Sequence, residues 1–254
     1  MKKLKKISLF LVSCGGFLVI LAVMLQFFTS VGRLHPNFSE GRESYANVRE
    51  IVAVSGALPI TLVPTSSDEC VVEWKSGLPL IVSCDEYGTL RITEDDSFTA
   101  TLFSKNAASS MIKIEVPEKS YERIKLSSSA GDIICHEINC ESLDIYTRNG
   151  DITAYGVNER SKIKSDSGNI YLSVNRFDGE MAVNGGEGDI TIEISGDFGF
   201  FAEFMTESGG SMSEGFEKAT SNRKGDAAFL NKNGGNSLKI YTTSGNLKIS
   251  IKEE

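Results

Sequence analysis

From residue 124 to residue 192, apolar and polar positions alternate in short runs, and one signal interrupts each run: a Gly, then Asp or Asn, then Ile. Gly131, Gly150, Gly168 and Gly188 carry it at intervals of 19, 18 and 20 residues, and Gly245, followed by Asn and Leu, carries it again. Seven and five residues before each Gly stand Ile124 and Leu126, Leu143 and Ile145, Ser161 and Ile163, Met181 and Val183, and Leu238 and Ile240. Two and four residues after it stand Ile133 and Cys135, Ile152 and Ala154, Ile170 and Leu172, Ile190 and Ile192, and Leu247 and Ile249. A spacing of two on both sides predicts strands that bury one face. Gly supplies the positive φ of a tight turn, and Asp or Asn suits the position beside it. A unit that recurs at a fixed interval buries its face against copies of itself. The pattern therefore predicts an all-β fold, a β-solenoid of stacked strand-turn-strand units with a period of ~19 residues.

The flanks extend this picture. "VREIVAVSG", "LPITLVP", "CVVEW", "LIVSC", "GTLRITED" and "MIKIEVP" read as strands over residues 47–116, with less regular spacing. They predict the first coils or an antiparallel cap, since the end of a solenoid leaves an open sheet edge. Between Gly188 and Gly245 the period blurs, around Gly209 and Gly225. A degenerate rung with a loop over residues 207–236 is expected there. Phe198, Phe200, Phe201 and Phe204 are expected to plug the core rather than form an exposed face, because large aromatics dominate core burial. The charged tail "KISIKEE" is expected to blunt the far end of the stack.

The N-terminus reads differently. Residues 1–6, "MKKLKK", are a basic tail, and residues 7–28 hold no charge. About 20 apolar residues cross a bilayer, so one transmembrane helix is expected, with the lysine side cytoplasmic. The C-terminal domain is then extracellular. Two alternatives stay open: a signal cleaved near Thr29-Ser30, and a lipoprotein signal at "LVSC" ending in Cys14. Against the second, the apolar run continues well past Cys14. Residues 29–46 are polar with Gly and Pro and read as a juxtamembrane linker, leaving 47–254 as the extracellular repeat domain.

Charge and cysteine content narrow the partners. Of 26 basic and 34 acidic residues, five bases and no acid fall in residues 1–33, so the remainder carries a net −13. Such a domain repels nucleic acid, and its acidity speaks first to solubility. Cys70, Cys84, Cys135 and Cys140 lie outside the membrane, where disulfides are permitted. Cys70 and Cys84 each stand seven residues from Gly77, which would bring them opposite each other in a hairpin. Two buried free thiols are the alternative.

Chemistry is sparse. The two histidines, His35 and His136, form no recognisable triad, and no GxSxG, HExxH or Walker sequence is present. Asp144, Asp151, Arg148 and Arg160 are candidates for a lyase-like cluster, with solvated surface charge as the default reading. Asp132, Asp151, Asn169, Asp189 and Asn246 would stack into a column of oxygens, the kind of site that attracts calcium. Asp and Asn also favour turns for purely local reasons. No enzyme activity, cofactor or metal is expected.

The combination of an N-terminal span, "LPITLVP", the rungs "AGDI", "NGDI", "SGNI" and "EGDI", and the terminal "SGNLKISI" resembles the bacterial putative-adhesin β-strand-repeat family, a domain of unknown function found in cell-envelope proteins. The resemblance covers roughly residues 47–254 and implies a surface-exposed β-solenoid. Two roles follow from it. One is an adhesin-like or structural envelope module that contacts a cell-wall polymer, another cell or its own copies, with Tyr146, Tyr155, Tyr171 and Tyr241 on flat rung faces suited to sugars. The other is an accessory or sensor protein of an envelope-stress signalling system that works through a membrane-protein partner, with the Gly15-Gly16 face inside the membrane.

Overall fold

Rungs do stack, but not in the order in which the chain makes them. The computed structural model describes residues 39–77, 79–94, 110–158, 160–216, 218–221, 226–232 and 234–252. All of these belong to one unit, Phe38–Glu254. Numbered in chain order, the paired strands are β2 (Glu50–Ser55) with β3 (Ile60–Thr65), β6 (Thr89–Glu94) with β7 (Met111–Pro117), β8 (Arg123–Ser128) with β9 (Ile133–Cys135), and β10 (Ser142–Thr147) with β11 (Ile152–Asn158). They continue with β12 (Arg160–Ser165) and β13 (Ile170–Arg176), β14 (Glu180–Gly185) and β15 (Ile190–Ser195), β16 (Phe200–Thr206) and β17 (Ser211–Glu214), and β20 (Asn236–Thr242) and β21 (Leu247–Lys252). The remaining strands are β1 (Ser39–Tyr45), β4 (Cys70–Ser76), β5 (Leu80–Cys84), β18 (Lys218–Ser221) and β19 (Ala227–Asn231).

The two strands of a rung enter different sheets. One sheet runs β1-β4-β7-β3-β9-β11-β13-β15-β21-β17, the other β18-β19-β16-β20-β14-β12-β10-β8-β2-β6-β5. Pairing is parallel from β7 to β17 and from β6 to β16, and antiparallel only at the ends. Register is set by the alternation read in the sequence. Ile152 stands opposite Ile133 and Ile170, and Ile190 opposite Ile170 and Leu247. These aliphatic rows from both sheets are buried and form the core.

Two rungs sit out of chain order. β2 and β3 lie between β6/β7 and β8/β9, and β20 and β21 lie between β14/β15 and β16/β17. The C-terminal strand does not blunt an end, as its charge suggested; it is interior. Polarity fits this order, since β17, Ser211–Glu214, has no apolar row to bury and lies at the sheet edge, and so does charge. β20 and β21 carry Lys239, Lys248 and Lys252 and no acid, while their neighbours carry Glu180, Glu193, Glu203 and Glu214. Lys239 Nζ lies 2.9 Å from Glu180 and Lys252 Nζ 3.8 Å from Glu193. Exposed pairs are each worth only about 0.2–1 kcal/mol, so they select the slot more than they hold it.

At the corners the repeat glycines stack directly. Leu58, Gly131, Gly150, Gly168, Gly188, Gly245 and Gly209 form a column in which a Cβ on each Gly would come under 3.0 Å from the carbonyl oxygen of the residue before it. None of these glycines has a positive φ. The expected turn conformation is therefore not the reason for Gly; rung-to-rung contact is.

A hydroxyl three residues before the Gly completes the corner. Ser128, Thr147, Ser165 and Thr242 each accept the N–H of their own Gly, at 2.8–3.1 Å. Thr147, Ser165 and Thr242 each donate to a carbonyl of the adjacent rung, Gly131, Gly150 and Gly186. This buried ladder satisfies backbone groups that the turns would otherwise leave unpaired. Two buried hydroxyls, of Ser161 and Thr206, have no such use. Ser161 Oγ sits among the core rows without a hydrogen-bond partner. Ser161→Ala is expected to stabilise the protein by about 1 kcal/mol in urea unfolding, because it removes a desolvated oxygen. A loss of stability would show that the hydroxyl has a partner.

The ends are closed by other means. Phe177, Phe198, Phe200, Phe216 and Phe229 form a chain of ring contacts with centroids 5.1–6.1 Å apart. Phe198, Phe200 and Phe204 plug the core as expected, and Phe201 points outward. At the other end β4 and β1 add antiparallel strands. Residues 39–45, read as linker, are strand because Gly41 lets β1 lie against the Trp74 ring, and Trp74 Nε1 donates to Ser39 Oγ at 3.0 Å.

Candidate binding face

Parallel register turns single residues into rows, and one row is aromatic. His136, just after β9, Tyr155 of β11 and Tyr171 of β13 meet on the outer face of the ten-stranded sheet. The His136 and Tyr155 rings stack with centroids 5.3 Å apart at 27°, and Tyr155 and Tyr171 follow at 5.7 Å and 58°. Exposed Ile134 stands in register with Thr153, which is also opposite Tyr171. The result is a shelf with an apolar body and polar tips.

A backbone irregularity shapes this shelf. Pairing of β11 with β13 shifts between Ala154 and Val157, a bulge around Tyr155 and Gly156. Gly156 has φ +62°, and a Cβ there would press into the Glu137 side chain. Bulges re-aim side chains, here Tyr155. Glu137 is fixed in turn by Asn175 Nδ2, which donates to its Oε1 at 3.0 Å. Glu137 also lines a cleft of about 620 Å³, together with apolar Pro64, Ile138 and Phe177 and charged Lys119 and Arg176. Shelf and cleft thus share a wall.

Polar groups rim the shelf. The Tyr171 hydroxyl donates to Glu193 Oε2 at 3.0 Å, and Lys252 Nζ donates to Ser173 Oγ at 2.6 Å. Burial and the Glu193 bond raise the Tyr171 phenol, so it remains a donor. Rings beside fixed donors and acceptors suit a ligand with an apolar face and hydroxyls on its edge, which is what a sugar ring offers.

The other expected residues are distributed as follows. Tyr146 and Tyr241 lie on the opposite sheet. The Tyr146 hydroxyl donates to Asp166 and its ring is covered by Lys164, while Tyr241 donates to Glu207. The four tyrosines therefore divide two and two. Asp144 and Arg160 line one groove, but Asp151 sits in the corner column and Arg148 in the corner beside it, so the four do not converge.

The column of Asp132, Asp151, Asn169, Asp189 and Asn246 is real. Each Oδ1 accepts the backbone N–H of the next rung, at 2.7–3.1 Å, ending on Gly210. Its Oδ1 atoms are thus engaged in binding rung to rung. Among the described residues no group of three or more acidic, His or Cys side chains comes together to hold a metal ion.

Cys70 and Cys84 do not face each other across a hairpin. β4 and β5 belong to different sheets, because the chain crosses over between them, and all four described cysteines are thiols. Burial pushes the Cys70 and Cys135 thiols up to about 12. His35 and the expected span over residues 7–28 lie outside the described residues. Among those described, no helix is long and apolar enough to cross a membrane.

Two features escaped the reading of the sequence. The corner hydroxyls follow a [ST]-x-x-Gly spacing visible in "SSAG", "TRNG", "SDSG" and "TTSG". The bulge was announced by a Gly inside a strand pattern, "AYGVN".

The profile of the family described as Toastrack DUF4097 matches residues 82–250. No curated protein matches the chain. Among solved structures, a "putative cell adhesion protein" from Clostridium sporogenes is similar, with 15% identity, 85% of this chain and 100% of that chain covered, and a TM-score of 0.53. A "putative adhesin" from Bacteroides fragilis shows 12% identity over 84% of this chain and 97% of its own, with a TM-score of 0.37. A "putative lipid binding protein" from Parabacteroides distasonis shows 13% identity over the same shares, 84% and 97%, with a TM-score of 0.29. At 15% identity the likeness to the Clostridium sporogenes protein is one of fold alone.

Proposed function

The chain belongs to the Toastrack DUF4097 family, and from that premise we propose that it is an adhesin-like binding module of the cell envelope rather than an enzyme. It is anchored by residues 7–28, with the N-terminus in the cytoplasm and the repeat domain outside. Its contact is the shelf of His136, Tyr155 and Tyr171, and its ligand is a cell-wall saccharide polymer. The observation that carries this reading is the shelf itself. A parallel sheet interrupts its regular ladder with a bulge, and there it displays rings beside a cleft. Rigid aromatic anchors concentrate binding energy.

The test is binding of residues 38–254 to intact cell walls, with and without calcium. Saturable binding is expected in both conditions, since the corner Oδ1 atoms already serve backbone amides. Replacing Tyr155 and Tyr171 together by alanine is expected to weaken binding about tenfold, while replacing Tyr146 and Tyr241 leaves it unchanged. An equal loss from both pairs would remove the shelf from the reading. No saturable wall binding at all would favour the accessory or sensor role, through contact with a membrane protein.

A further inference from the structure

The outer face of the eleven-stranded sheet holds a second arrangement, on the side away from the aromatic shelf. Register aligns Glu50, Arg123, Ser142, Arg160 and Glu180 in one row across five neighbouring strands. Strands lie about 4.8 Å apart, so the two arginines stand on backbones roughly 10 Å apart with a small serine between them. A basin of about 580 Å³ opens there, lined by Glu50, Glu122, Arg123, Glu141, Ser142 and Arg160.

The charges of this basin do not satisfy one another. Glu122 pairs with Arg49, outside the basin. Among the described residues, no ion pair within 4.0 Å joins Arg123, Arg160, Glu50 or Glu141 to any partner. Two guanidinium forks and two carboxylates therefore line one basin with their capacity unspent. A polyanion would meet the glutamates and a polycation the arginines. A ligand that carries both signs meets neither penalty.

We propose that this basin binds a short peptide through its free ends. The ligand's carboxylate lies between Arg123 and Arg160, over Ser142, where the planar forks match its two oxygens. Its ammonium group faces Glu50 and Glu141. The site is independent of the aromatic shelf.

The test is titration of the full chain with alanyl-alanine, followed by NMR, beside the N-acetylated and C-amidated forms. Saturable binding in roughly the millimolar range is expected, weakened about tenfold by either cap. Arg160→Gln should erase the preference for the free carboxylate, and Glu141→Gln the preference for the free amine. Tyr155→Ala should change none of these, so failure here is distinct from failure at the shelf. Equal affinity for capped and free peptide would overturn the proposal. So would an unchanged preference in Arg160→Gln, no saturation by the dipeptide, or tighter binding of inorganic polyphosphate than of the dipeptide.

Discussion

Gly168→Ala is expected to cost at least about 4 kcal/mol and to lower Tm by about 10 °C. A single Cβ there runs into the carbonyl of Gly150, and that carbonyl cannot retreat. It accepts the Ser165 hydroxyl at 3.1 Å and belongs to a corner locked between two others. Relief would require several rungs to move apart, against the parallel ladders of both sheets. The cause can be separated from turn conformation. If Gly168 were needed for a positive φ, Asn, which tolerates that region, would substitute better than Ala. With stacking as the cause, Gly168→Asn is at least as damaging as Gly168→Ala. Gly210 offers the internal comparison, since its added Cβ would meet only Asn246 Oδ1 at 3.8 Å. Gly210→Ala is expected within about 1 kcal/mol of the parent. Urea unfolding of the three variants decides the matter, and a loss under about 1 kcal/mol for Gly168→Ala would reject the contact as the cause.

Glu94→Ala is the second large effect, expected at about 3 kcal/mol. Glu94 ends β6 and is buried where, among the described residues, the column of corners stops. Among the described residues no glycine carbonyl follows there, and the Glu94 carboxylate takes the place of one. Glu94 Oε2 accepts the Ser55 hydroxyl at 3.0 Å, the Gly56 N–H at 2.6 Å and the Ala57 N–H at 3.3 Å. Removal strands a hydroxyl and two amides, and a buried donor without a partner costs about 1–3 kcal/mol. Glu94→Gln keeps an acceptor in the same place and is expected to cost about 1 kcal/mol. The order Ala worse than Gln, by urea midpoint, is the result that supports an end cap. Equal losses would point to the charge instead, and no loss would show that water fills the role.

Much of the architecture was legible because it is periodic. The paired positions such as Ile170 and Leu172, or Ile190 and Ile192, fix which face is buried, and parallel stacking follows from the constant interval. The position of Gly was right and its reason was not, because a sequence shows that a side chain is absent and not what would have met it. The order of rungs was illegible for another reason. The alternating apolar positions of β14, β16 and β20 look alike, so their order rests on pairings such as Lys239 with Glu180, between residues far apart in the chain, and on the polar β17 lying at the edge of its sheet. Cys70 and Cys84 misled because symmetric distance from Gly77 implies a hairpin only if both strands stay in one sheet. At the binding face, Tyr155 and Tyr171 were visible as candidates. Their separation from Tyr146 and Tyr241, and the contribution of His136, depend on which sheet each strand enters.

The interior position of β20 and β21 gives the assembly a direction in time. β16 and β17 are synthesised first but cannot join the rest of either sheet until β20 and β21 arrive. Growth from one end, the usual route for a repeat array, is therefore blocked at this point. The last strands must enter a gap between two existing ones and zip both edges at once, a step of high sequence separation and so a slow one. Until then two strand edges in each sheet stay open. A chain cut short before Asn236 would keep them open permanently, and unpaired edges invite capture by proteases or by other chains. The late keystone thus makes synthesis through Lys252 a condition for a closed surface.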